Sequence, residues 1–235
     1  MKKIELKQFR MDLMKKIKEF DEKIKHLINE LNDEIINNYH EDTIGPILFL
    51  EDKSLQIQKA VENKKIYQQQ EIDIEMDESN KSNFENLDEL TYQYDLKMKI
   101  WKNISEFQEL KNKFDNTQVL NLQVKSSEIL IQKWIKICKV SLIDLDNSNV
   151  PKEFLERVLV YEKIIEIIKI IQNENIQKVD ELRERLRMIL GINFDFSENF
   201  FTVGRLLQME NIFDLLDDLR NLNLRANEEN RIKTI

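Results

Sequence analysis

LRERLRMILGINFDFSENFFTVGRLLQMENIFDLLDDLRNLNL, Leu182–Leu224, is the most informative stretch of the chain. It holds two of the three glycines, Gly191 and Gly204, and five phenylalanines, Phe194, Phe196, Phe200, Phe201 and Phe213. Upstream, Val179–Leu190 reads as a helix that stops at Gly191, the residue type suited to a left-handed C′ position. Downstream, Thr202 is a suitable N-cap for a helix over Val203–Met209. A last helix is expected from about Asn211 to the end. A helix that stops at glycine, crosses a short aromatic loop (191–202) and restarts at threonine is a packing device joining two helices at a fixed angle.

Composition extends that helical reading to the whole chain. Of 235 residues, 41% are hydrophobic and 34% charged, with only 3 Gly and 2 Pro. So little turn punctuation leaves little scope for a hairpin-rich β fold. The expectation is an all-α protein, an elongated array of long helices in a bundle or rod. The net charge of −8 disfavours binding to phosphate backbones, so no nucleic-acid partner is expected. The single cysteine, Cys138, has no internal disulfide partner and points to a reducing compartment. Met1–Arg10 is already amphipathic and does not resemble a secretory leader. Val158–Ile171, the most apolar run, contains Glu162, Lys163, Glu166 and Lys169 and is too short and charged to span a bilayer. A soluble, intracellular helical protein with no membrane partner is expected.

Between Leu6 and Leu31 the apolar residues keep a heptad. Leu6, Leu13, Phe20 and Leu27 recur every seven residues, and so do Arg10, Ile17, Ile24 and Leu31. This is the stripe of a coiled-coil or bundle helix. A helix over residues 2–38 would be roughly 55 Å long. Each Leu, Ile or Phe it buries is worth about 1.5–3 kcal/mol. The stripe therefore requires a partner, either a second copy or another helix of this chain. Gly45-Pro46 reads as a turn, followed by helix from Ile47 to about Glu75. The polar segment Asp77–Asn86 reads as a loop and a boundary, giving a helical segment over 1–80, with its heptad helix at 6–31, and a second region over 81–235. Further helices are expected over about Leu87–Phe114, Leu122–Leu142 and Glu153–Ile171. In the last of these, β-branched content makes strand a competitor, but length and interspersed charges favour helix. Pro151 suits a first helical turn.

Motifs that would carry chemistry are missing. Glycines only at 45, 191 and 204 allow neither a G-x-x-x-x-G-K-[ST] nor a G-x-G-x-x-G loop, so nucleotide hydrolysis is not expected. His26 and His40 are far apart in sequence and have no neighbouring cysteine, unlike a zinc site. Cys138 reads as a small buried hydrophobe. Asp73-Ile-Glu75-Met-Asp77 mimics the start of a calcium loop, but Glu78 replaces its glycine and Phe84 its bidentate glutamate. Trp101 and Trp134, at helical spacing with Ile and Leu, read as core rather than partner anchors. No catalytic, cofactor-binding or metal residue is singled out, and no cofactor is expected.

The second half matches a family pattern. Tyr94-Asp-Leu-Lys97 with Ile100-Trp101, then Phe114–Leu122, Ile189-Leu-Gly191, Phe194-Asp-Phe196 and Phe201–Leu207 occur in order. Ala226, Glu229, Ile232 and Ile235 follow at helical spacing. This series resembles the N-terminal part of the dynein heavy-chain linker with its adjoining tail helices. Leu182-Arg183-Glu184-Arg185 stands where the family usually carries a histidine-tryptophan pair.

The resemblance implies a non-catalytic, mechanical segment: a stiff helical arm coupling an ATPase ring to the tail in microtubule-based motility. Family members continue past the position of Ile235 into that ring, so ATPase activity would reside there. Implied partners are the remainder of a dynein motor, dynein intermediate and light chains or other axonemal proteins, and microtubules indirectly. The implied location is cytoplasm and cytoskeleton, with an axonemal (ciliary) type preferred. The alternatives are a stand-alone helical scaffold and a homodimeric coiled coil resting on Leu6–Leu31.

Overall fold

The heptad forms one helix and finds its partner inside the chain. In the structure, a computed structural model describing residues 3–233, α1 spans Lys3–Glu30. Leu13, Ile17, Phe20, Ile24 and Leu27 are buried. The Phe20 ring meets Tyr67 edge-on at 5.4 Å and Phe84 at 6.2 Å. Arg10, the one polar member of the seam, donates from its guanidinium to the carbonyls of Ile74 (2.9 Å) and Glu75 (3.4 Å). These carbonyls lie at the end of α3 (Ile44–Asp73), where the helix leaves acceptors unpaired.

Near the start of the chain, two boundaries differ from the sequence expectation. The helix over 2–38 breaks after Glu30, because the Asp33 carboxylate accepts the Ile35 N–H (2.9 Å) and caps a separate short helix α2, Glu34–Asn37. Gly45-Pro46 is not a turn but lies in the first turn of α3. The first N–H groups of a helix have no intrahelical acceptor, so the missing proline donor costs nothing there. The expectations for residues 1, 2, 234 and 235, Ile235 of the family helix included, lie outside the described residues.

The remaining helices are α4 (Glu85–Asp115), α5 (Val124–Asp144), α6 (Val150–Ile171), α7 (Glu174–Gln177), α8 (Asp180–Leu190), α9 (Val203–Leu207) and α10 (Leu216–Lys233). Among the described residues there is no strand, only an isolated antiparallel bridge between Gln118 and Thr202. The fold is an all-α helical array. No helix among the described residues is long and apolar enough to cross a membrane.

The chain gathers into two compact units. The first comprises residues up to Ile104 together with Val140–Glu153, and the second Ser105–Lys139 with the residues from Phe154 on. At the heart of the first is Asn37. Its side-chain amide donates to the Leu31 (2.9 Å) and Asp33 (2.8 Å) carbonyls, closing the end of α1. Its side-chain oxygen accepts from the buried Lys97 ammonium, and its carbonyl accepts from Asn149 N (3.0 Å) and Ser148 Oγ (3.1 Å). Trp101, fully buried, donates its indole N–H to the Ile36 carbonyl (3.0 Å).

The second unit is organised around α6, where Val158, Ile164, Ile167, Ile168 and Ile171 are buried. A helix apolar on nearly every side belongs in an interior, which settles the strand alternative. Phe107 of α4 meets Trp134, Phe154 and Tyr161 edge-on at 5.2, 5.5 and 5.4 Å, the geometry that puts ring edges on ring faces.

Candidate functional site

The joint that follows α8 is built by local rules at both ends. Gly191 sits at φ 64, ψ 30, left-handed. Its N–H donates to the Met188 carbonyl (3.2 Å), and the Ile192 N–H reaches back to Arg187 (3.1 Å). This pair of bonds is the Schellman arrangement that terminates helices at glycine. At the far end the Thr202 hydroxyl accepts the Arg205 N–H (3.3 Å), capping α9.

Between the caps the phenyl rings form the packing. Phe194 lies 4.9 Å from Phe200 and 5.2 Å from Phe201, and Phe196 lies 5.9 Å from Phe201. Phe196 and Phe201 are buried, while Phe200 is exposed under the Arg205 guanidinium, 5.6 Å above the ring. Phe213 pairs instead with the Lys163 ammonium (5.8 Å). Arg187, in the last turn of α8, bonds Asp195 (2.7 Å) and lies over Phe196 (5.9 Å). Hydrogen bonds from Ser197 Oγ (2.6 Å) and N (2.9 Å) hold the Asp195 carboxyl below its usual range, and Arg187 acts in the same direction.

The loop is also fastened to the segment after α4. Val119 N donates to the Phe201 carbonyl (3.0 Å) and Val203 N to the Thr117 carbonyl (2.9 Å), while the Gln118 side chain bonds Asn199 (2.7 Å). Gly204 allows the approach. A Cβ there would stand 2.8 Å from the Asp115 carbonyl oxygen. Tyr161 of α6 donates its hydroxyl to Asp115 (2.7 Å); burial pushes its phenol up, and this hydrogen bond adds to the shift. Gln172, just past α6, gives its amide to the Val119 (2.7 Å) and Leu122 (3.0 Å) carbonyls. Sequence reading found Gly191, Thr202 and the phenylalanines. Asp115 and Gln118 are legible there only as part of a turn, and the roles they share with Arg187 and Gln172 are not, because their partners are remote in sequence or carry no local pattern.

The other singled-out residues serve the fold. Trp134 is buried and its indole N–H donates to Glu106 (3.3 Å). The Cys138 thiol is pushed up to about 12 by burial, which leaves it a protonated, unreactive group. His40 stacks near Trp101 (6.4 Å between centroids), and exposed His26 lies beside Glu30 (3.4 Å). Asp73, Glu75 and Asp77 line the exit from α3, with Glu75 at φ 49. Among the described residues no group of three or more His, Cys, Asp or Glu is placed to hold a metal. What the joint offers is polar bonding from both ends and interlocked rings, the means of holding two helices at one angle.

Comparison with known proteins bears on that arrangement. The family model "dynein heavy chain, N-terminal region 2" matches residues 87–235, from the first turn of α4 through the joint and α10. No curated protein and no solved structure matches the chain. With well over half its residues under that one model, the chain belongs to the dynein heavy-chain N-terminal region 2 family.

Proposed function

We propose that the chain is a non-catalytic mechanical segment of a dynein heavy chain, with residues 81–235 forming part of the linker arm and 1–80 the adjoining tail helices. The observation that carries this reading is the joint of 191–204, which lies inside the family match and is tied to α4, α6 and the turn between α4 and α5. An arm does work only if its contacts differ between nucleotide states of the ring, and it must not absorb the displacement within itself. Partners on this reading are the remaining motor, dynein intermediate or light chains and, through them, microtubules. The location is cytoskeletal, with the axoneme preferred. The chain itself turns over no ATP and takes no cofactor or metal.

The test grafts residues 81–235 in place of the matching segment of an active dynein motor and measures gliding with ring ATPase. Retained gliding supports the arm. Loosening the joint with Phe201→Ala is then expected to slow gliding more than ATP turnover. A graft that leaves gliding indifferent to Phe201→Ala, or mutation-sensitive ATP turnover by the purified chain, would sink the proposal. A stand-alone scaffold is the outcome if the grafted motor folds and hydrolyses ATP but never moves.

A further inference from the structure

Helix α3 is apolar on two opposite sides. Leu50, Ile57 and Ala60 are buried within the first unit. Ile44, Leu48, Leu55 and Ile66 are 68%, 58%, 58% and 52% exposed. At 3.6 residues per turn these four fall on one stripe, roughly 160° around the helix from Ile57. Glu51, Lys59 and Glu62 stand on the same stripe and are exposed.

The seven positions 44, 48, 51, 55, 59, 62 and 66 are spaced 4-3-4-4-3-4, a series that reads identically in both directions from Leu55. Each half is an eleven-residue repeat, which keeps a stripe nearly parallel to the helix axis. Two such helices laid antiparallel bring together positions whose numbers add to 110. Ile44 then meets Ile66, Glu51 meets Lys59, Leu55 meets its own copy, and Leu48 covers the aliphatic stem of Glu62. Every pair but the central one occurs twice, as a two-fold axis requires. The stripe is about 33 Å long.

We propose that α3 docks against α3 of a second copy of this chain, antiparallel about a two-fold axis at Leu55. The charge pattern selects this occupant. Glu51 and Lys59 lie at symmetric distances from Leu55 and are opposite in sign, so the stripe is its own complement.

The experiment is sedimentation velocity of the full chain from about 1 to 100 µM, with matched cysteine variants. A reversible dimer is expected in that range. Glu51→Lys or Lys59→Glu alone places two like-charge pairs in the seam and weakens it about ten-fold, whereas the double exchange restores it. Under mild oxidation Leu55→Cys is expected to give a disulfide-linked dimer, and Gln56→Cys, about 100° around the helix, is not. Native Cys138 is buried and does not compete. The altered residues are exposed, and circular dichroism verifies that each variant folds. A chain that stays monomeric at the highest concentration overturns the proposal. So do equal cross-linking at both cysteines and a double exchange no tighter than the weaker single variant.

Discussion

Replacing Gly204 by alanine tests the joint at its closest approach. The added methyl would stand 2.8 Å from the Asp115 carbonyl oxygen and 3.2 Å from the Asp115 Cβ, while even close carbon–oxygen contacts lie near 3.3–3.6 Å. The two segments must separate by about half an ångström. Asp115 cannot yield freely, because its carboxylate holds Tyr161 (2.7 Å) and Lys111 (3.3 Å). Two residues on, the Thr117 carbonyl holds Val203 N (2.9 Å). Overpacking of this kind costs about 1–3 kcal/mol. Alanine's better helix propensity offsets up to about 1 kcal/mol, and less in a first turn. The expected net loss is therefore about 1–2 kcal/mol. Gly191→Ala should lose a similar amount for another reason: the space around it is open, but φ is 64, and left-handed backbone costs an L-residue about 1–2 kcal/mol. Asparagine separates the two cases. It tolerates the left-handed region, so Gly191→Asn should recover much of the loss, while Gly204→Asn should be at least as damaging as alanine. Urea midpoints at constant m-value read the difference. A Gly204→Ala midpoint equal to or above wild type, or rescue of position 204 by asparagine, refutes the close-approach argument.

Three further outcomes are expected. Thr202→Ala removes the cap of α9 and should cost about 1 kcal/mol by the same assay, with Thr202→Ser close to wild type. Phe201→Ala empties a buried ring site in contact with Phe194 and Phe196 and should cost about 3–5 kcal/mol; a loss below that of Thr202→Ala would contradict the packing described. Burial lowers Lys97 from 10.5 to about 8. Between these values the unfolded chain holds a proton that the folded chain has released, so this group's contribution raises stability as pH rises through the window. The gap in unfolding free energy between wild type and Lys97→Met should move in favour of wild type by up to about 3 kcal/mol from pH 8 to 10.5, and a flat gap would exclude a buried ammonium.

What was legible in the sequence was local. Gly191 and Thr202 are positions where one residue's conformational range or hydroxyl decides the backbone, and the heptad of α1 is a periodicity that burial enforces. Where local signals competed, the sequence misled. Leu31 continues the heptad, yet Asp33 offers a cap that ends it. Pro46 is as well suited to a first helical turn as to a loop, and only the surroundings choose. The last helix was expected from Asn211, but Asn211 takes φ 56 and regular helix begins at Leu216. The four-residue α7 has one local capping signal, the Asn173 side chain that accepts the Asn175 N–H (2.9 Å), too little to separate it from a polar loop. Gln172 with Val119, Tyr161 with Asp115 and Gln118 with Thr202 join residues 46 or more positions apart. No spacing rule announces such pairs, because they exist only once the helices have packed.

The same distinction bears on mechanics. A loop of eleven residues left free would absorb displacement, since each ordered residue gives up about 1–2 kcal/mol of backbone entropy that a free one keeps. Residues 192–202 are instead held by glycine and threonine caps, by Arg187 on Asp195, by Gln118 on Asn199 and by backbone bonds on either side of Thr202. The buried Phe196 and Phe201 rings fill the space these bonds enclose. Caps alone would fix where the two helices stop and start while leaving the angle between them free. The non-local bonds and the rings are what remove that freedom. The bonds, unlike the rings, are absent from the local code, so an ordinary capped aromatic loop and a stiff joint can share the same glycine, threonine and phenylalanines and differ only in residues such as Gln118, Gln172 and Asp115.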